Sequence, residues 1–178
     1  MYLPKTNYAK IAFDAILFYV TTNQVRKEKE EKISADLKLN LACIVSIYDN
    51  DNNLLSLYGN IKPEQKNLYD EIIENALKAA SGNKKYSAVD SSKLNQVKVF
   101  VDVVSDLHKV EEISELKPKK HGVYIKKGEH EYYILPDTKG IKTPENELTQ
   151  SVALRSNQAL NKKGLRRPPL GPAGHIGG

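Results

Sequence analysis

Apolar side chains recur at Tyr8, Ile11, Ala12, Ala15, Ile16 and Tyr19, the i, i+3, i+4, i+7 spacing of a helix with one buried stripe. Asn7 stands where an N-cap belongs, and Thr21-Thr22-Asn23 ends the run. The mixed-sign stretch from Arg26 to Lys38 reads as a solvated linker or surface helix. The period then changes. Leu41 to Tyr48 and Leu54 to Tyr58 are β-rich runs flanking Asp49-Asn50-Asp51-Asn52-Asn53, which predicts a hairpin closed by Asn/Asp turn chemistry.

A second helix is predicted from Asn67, with Asp70 and Glu71 in its first turn, where they favour the helix dipole. Leu68, Ile72, Ile73, Ala76 and Ala80 share one face, and Gly82-Asn83 is a fitting stop. Val97, Val99, Val101 and Val103 alternate with Lys98, Phe100, Asp102 and Val104, the period of a strand. The valines are expected inside, with Lys98 and Asp102 exposed. Gly122 to Lys126 and Glu131 to Leu135 predict another hairpin around Lys127-Gly128, and Thr143-Pro144 starts a last helix. Hairpins dominate the connections, so the expected class is α/β of the α+β type. An antiparallel-rich sheet is flanked by helices in a single domain over residues 1–161.

Composition changes this picture at one end. The net charge of +5 comes from 27 basic and 22 acidic residues, but Lys162, Lys163, Arg166 and Arg167 lie in a stretch with no acid. Without those four the excess falls to +1, so the basicity belongs to the tail rather than the fold. Residues 162–178 also hold five of the ten glycines and three of the eight prolines. Such a segment does not pack a core, and it reads as extended or disordered. Its two readings are a basic docking tail and an extension foreign to the native domain. Nucleic acid is therefore not the expected partner of the folded body. No apolar run reaches the roughly 18–20 residues of a membrane span, and a single cysteine, Cys43, rules out an internal disulfide framework. A cytoplasmic location is expected.

Candidate chemistry is sparse. The chain holds no Cys-x-x-Cys, His-Glu-x-x-His or phosphate-binding glycine loop, and His108, His121, His130 and His175 are scattered. The acidic turn from Asp49 lacks the central glycine and twelfth-position glutamate of a calcium loop, having Leu54 and Asn60 there. Glu129-His130-Glu131 falls on a hairpin tip and reads as a solvated loop. Cys43 sits in Ala42-Cys43-Ile44-Val45, where a buried, structural thiol is expected over a Cys43–His121 nucleophile pair. No metal, cofactor or catalytic residue is assigned. Tyr58, Tyr86, Tyr124, Tyr132 and Tyr133 can line a wet groove, although strands favour tyrosine in any case.

The order and spacing of several of these pieces resemble the AMMECR-one domain family over roughly residues 4–160. Asn75-Ala76 and Ala79-Ala80 match its Asn-Ala helix, and Lys85-Tyr86 stand at its Arg-Phe turn with Val89 following. Leu94 leads into the strand Val97 to Ser105, while Lys120-His121-Gly122 and Ile134-Leu135-Pro136 match the ends of its hairpin. The family's Leu-Arg-Gly-Cys-Ile-Gly strand falls on Leu54 to Gly59, here Leu-Leu-Ser-Leu-Tyr-Gly. Leu55 and Leu57 replace the signature arginine and cysteine, and Asn83-Lys84 replace the Asp-Pro of the turn. The resemblance is to a divergent member, in which activity resting on that pair would be lost.

The resemblance implies a site at the family's characteristic segments: Tyr58, Gly59 and Asn60, then Lys85 and Tyr86, then His121. These are the candidate ligand-binding residues, expected to converge on one concave surface. Two functional classes follow. One is a non-catalytic binding or adaptor domain for an unidentified protein or small-molecule partner. The other is an enzyme component, since relatives are often encoded or fused beside Memo-like and radical S-adenosylmethionine proteins. Nucleic-acid binding through the basic tail is a third.

Overall fold

The structure is a computed structural model, which describes residues 4–25, 27–82, 88–89, 91–128, 130–136, 138 and 141–143. The chain forms two compact units, Met1–Leu107 and His108–Gly178.

In the first unit, helix α1 spans Asn7–Thr22, but its cap is Thr6 rather than Asn7. Thr6 has extended backbone and its hydroxyl accepts from the Ala9 N–H at 3.1 Å, while Lys10 N donates to Thr6 O to open the helical ladder. Asn23 in the left-handed conformation closes the helix, donating its N–H to Tyr19 O. Ala9, Ala12, Phe13 and Ile16 are the buried stripe, with Tyr8, Ile11, Ala15 and Tyr19 along its margins. The charged run carries two short 3-10 turns, Glu30–Lys32 and Asp36–Lys38, and is pinned by buried Ile33 and Leu37.

Strands β1 (Ala42–Asp49) and β2 (Leu54–Gly59) form the expected hairpin. Asp49 does the turn's work: its carboxylate accepts from the Asn53 N–H at 2.8 Å and the Asn53 amide at 2.9 Å, and Asn52 adopts φ 64°. Strand β3 (Val97–Val104) pairs antiparallel with the other side of β1, giving the order β2-β1-β3. Cys43, Val45 and Ile47 of β1 share a face with their β3 partners Val103, Val101 and Val99. Both helices pack on that face in one apolar core.

Helix α2 (Leu68–Ser81) is capped by Asn67, whose side chain accepts from Asp70 N at 2.8 Å, and ends at Gly82 with φ 74°. The predicted apolar stripe is buried, yet so are Asp70, Glu71 and Asn75, because the helix is covered on almost every side. Two of the β3 expectations also change. Val97 and Val99 are buried, but Val101 and Val103 are only half-buried on an edge strand, and neither Lys98 nor Asp102 is fully exposed. Lys98 folds over the hairpin turn, donating to Asn50 O at 2.9 Å and Asn52 Oδ1 at 2.8 Å. Burial holds the Asp102 carboxyl above its ordinary pKa.

The second unit contains the hairpin β4 (Val123–Lys127) and β5 (His130–Ile134), in register Val123↔Ile134 through Lys127↔His130. Gly128 takes φ 61° in the turn, and the Tyr124 and Tyr133 rings stack with centroids 5.7 Å apart. The expected helix after Thr143-Pro144 and the tail from residue 162 lie outside the described residues. Both sheets are antiparallel and the helices lie beside one of them, so the fold is α+β.

Candidate functional site

Tyr58 pairs with Val45 near the end of β2, which turns its ring to the helix side of the sheet, half-buried against the core. There α2 presents Glu74, Leu77, Lys78 and Ser81, one side of its last two turns, and α1 brings Tyr19 from its own last turn. With Gly82 these residues line an open groove of about 430 Å³. The Lys78 ammonium lies 5.0 Å from the centre of the Tyr58 ring, 3.4 Å from Glu74 Oε1 and 3.6 Å from Glu64 Oε2. Burial works against the charged amine, but Tyr58, Glu74 and Glu64 outweigh it, so the Lys78 pKa stands above its ordinary value. The groove thus holds one ion-paired cation between two carboxylates, over an aromatic face.

Gly59 follows Tyr58 with φ 153°. A Cβ there would come within 2.3 Å of Cys43 O and 2.6 Å of Ile44 Cα. Glycine is needed at this point because β1 occupies the space, a close approach of backbone to backbone. Asn60 is half-buried just beyond the strand. Lys85 and Tyr86 lie outside the described residues. His121 belongs to the second unit, where it is exposed and its Nδ1 accepts from the Lys117 N–H at 3.3 Å. Leu57 pairs with Ser46, on the sheet face away from the helices, and Leu55 stands exposed at the irregularity between the Ile47 and Tyr48 pairings.

Helix α2 also carries a buried polar network with no equivalent among the predicted site residues. Glu71, fully buried, accepts from the Glu64 N–H at 2.9 Å and the Gln65 N–H at 2.8 Å through Oε2. Its Oε1 accepts from the Asn75 amide at 3.2 Å, which also donates to Cys43 O at 3.0 Å. The network ties the loop before α2 to the helix and to the central strand. Cys43 is fully buried, and its thiol is pushed up to about 12, chiefly by burial. The burial is the one expected from its apolar neighbours. Among the described residues no group of His, Cys, Asp and Glu is placed to hold a metal ion, and no helix is long and apolar enough to cross a membrane.

Sequence reasoning reached Tyr58 but missed Tyr19, Glu74, Lys78 and Glu71. The i, i+4 spacing of Glu74 and Lys78 was a visible signal of a paired helix surface. Glu64 joins them from a loop, and no sequence spacing announces that.

Comparison with known proteins places the chain. A protein of Thermotoga maritima is 34% identical over 142 residues, covering 79% of this chain and 81% of that protein. Protein CA_C1420 of Clostridium acetobutylicum is 28% identical over 145 residues, which cover 81% of this chain but 31% of the longer relative. The crystal structure of the uncharacterized protein PH0010 from Pyrococcus horikoshii has the same fold, with a TM-score of 0.71 at 18% identity, covering 82% of this chain and 76% of that one. The family model described as AMMECR1 matches residues 9–168. The chain belongs to the AMMECR1 family.

Proposed function

We propose that the chain is a non-catalytic binding or adaptor domain, and that the groove over Tyr58 receives a protein segment or a small ligand. The observation that carries this reading is the groove itself: an open concavity with an apolar floor, two tyrosines and one ion-paired lysine. Leucines at 55 and 57 support it, since they offer neither nucleophile nor charge where the resemblance implies an arginine and a cysteine. In this reading Tyr58 faces the ligand, Gly59 shapes the strand it stands on, and Asn60, just beyond that strand, is a further ligand candidate. Lys85 and Tyr86, three and four residues beyond Gly82 in the chain, remain ligand candidates, as does His121 on its own unit.

The test is an NMR screen of the isotope-labelled protein against a fragment library. Binders that shift the Leu77, Lys78, Ser81 and Gly82 amides are expected. Binders that all act elsewhere, or a fragment that is chemically converted, refute the proposal. A second reading, component of a multi-part enzyme, is favoured by one fact: in Clostridium acetobutylicum the matching region is under a third of a longer protein.

A further inference from the structure

We infer that the groove over Tyr58 takes a cationic group, the guanidinium or ammonium head of a basic side chain or amine, and that Lys78 fills its place in the free protein. This rests on the groove being the binding surface, as proposed above.

The charge around the groove points this way. Lys78 supplies one positive charge, and Glu74 and Glu64, both within 4 Å of its ammonium, supply two negative ones. Both helices also end here. Tyr19 lies in the last turn of α1, and Lys78, Ser81 and Gly82 close α2. Helix C-termini present carbonyl oxygens and carry a partial negative charge, which attracts cations and repels anions. An anionic ligand would have to approach two carboxylates and two helix C-termini to reach a lysine that is already paired. A cation meets carboxylates and the negative face of an aromatic ring, the arrangement that Lys78 already exploits over Tyr58.

Lys78 is suited to yield. Its side chain is 36% exposed on a flexible stem, and Glu74 and Glu64 are 39% and 48% exposed, so an incoming group can reach both. A guanidinium fits better than an ammonium, because it can lie flat on Tyr58 while pairing with Glu74 through two N–H groups. Leu77 and Tyr19 supply apolar contact for the aliphatic stem behind the charge.

The experiment follows amide shifts of the full chain on titration with n-butylguanidinium, with butyrate as anionic control and an Arg-centred alanine heptapeptide as second arm. Tighter binding of the heptapeptide than of butylguanidinium assigns the cation to a polypeptide, and the reverse order to a small amine. Butylguanidinium is expected to shift Leu77, Lys78, Ser81 and Gly82. Lys78→Met, which removes the internal competitor, should tighten binding by about three- to ten-fold, and Glu74→Gln should weaken it by a similar factor. Circular dichroism of both variants checks that the helices are retained. If butyrate shifts the same amides and Lys78→Met abolishes that response, the cation inference falls and the groove reading stands. A response to neutral fragments alone has the same meaning. Silence of these amides toward every probe, in wild type and Lys78→Met, overturns both.

Discussion

Removing the Glu71 carboxylate should unseat the loop before α2. Glu71→Ala deletes the acceptor of three hydrogen bonds, from Glu64 N, Gln65 N and the Asn75 amide. Bonds to a charged acceptor contribute about 1.5–3 kcal/mol each, and a buried donor left unpaired costs about 1–3 kcal/mol. The two backbone donors lie near solvent and regain water, so each is counted at the low end, about 1 kcal/mol. Adding the stranded Asn75 donor and a small cavity gives a loss of about 3–5 kcal/mol. Against a total stability of about 5–15 kcal/mol this is a large fraction, equivalent to a melting point about 6–20 °C lower. Glu71→Gln keeps the shape and one acceptor oxygen and should cost about half as much. Urea unfolding followed by circular dichroism at 222 nm is the assay, since the chain has no tryptophan. A double-mutant cycle with Asn75→Ala should give a coupling of about 0.5–3 kcal/mol. A Glu71→Ala loss under about 1 kcal/mol, or strict additivity with Asn75→Ala, refutes the idea that the network holds this loop.

Gly59→Ala should cost about 2–5 kcal/mol, from a Cβ 2.3 Å from Cys43 O and from the strain of φ 153°; a urea midpoint within error of wild type would contradict it. Cys43, with its thiol pushed up to about 12, should react slowly with a small disulfide reagent in the native protein, and fast labelling at pH 8 would revive a nucleophilic role. The same raised value has a sign for stability. The folded state holds the thiol proton more tightly, so the contribution is present below about pH 9 and lost as pH climbs to about 12, a decline that Cys43→Ala should lessen. Asp102 is raised by burial, so its contribution is present below the ordinary carboxylate range and lost as pH rises through its folded pKa. Asp102→Asn should therefore raise the urea midpoint at pH 7 and lose that advantage near pH 3, and a lower midpoint at pH 7 would show that the charge is wanted there.

Much of the fold was legible because its signals are local. The 3.6-residue stripe of α1, the Asn67 cap and Gly82 stop of α2, the Asp49 turn and the alternating valines of β3 each state their conformation within a few residues. The order of those segments also carried the family resemblance. One departure is local too: Thr6 and Asn7 are both good caps, and the choice between them depends on which backbone is extended; the half-burial of Val101 and Val103 follows instead from the place of β3 at the sheet edge.

The candidate site was legible only in part, because it is assembled across distance. Tyr58 was readable as an aromatic at a strand end, but the groove also needs Tyr19 from α1, Glu74 and Lys78 from α2 and Glu64 from a loop. In the sequence Glu71 is a dipole-favouring residue at a helix start; packing on all sides makes it the buried acceptor of three donors.

The sequence by itself determined the two long helices, the strands, the antiparallel character and the thiol's place in an apolar strand. Each depends on periodicity or on residue identity. Only the tertiary structure decided that Gly59 serves the approach of β1, that Asn75 bonds a carbonyl 32 residues away, and that Lys78 stands over Tyr58 between two carboxylates. Those are contacts between segments far apart in the chain, and the free energy that selects them is created when the helices close on the sheet and exclude water.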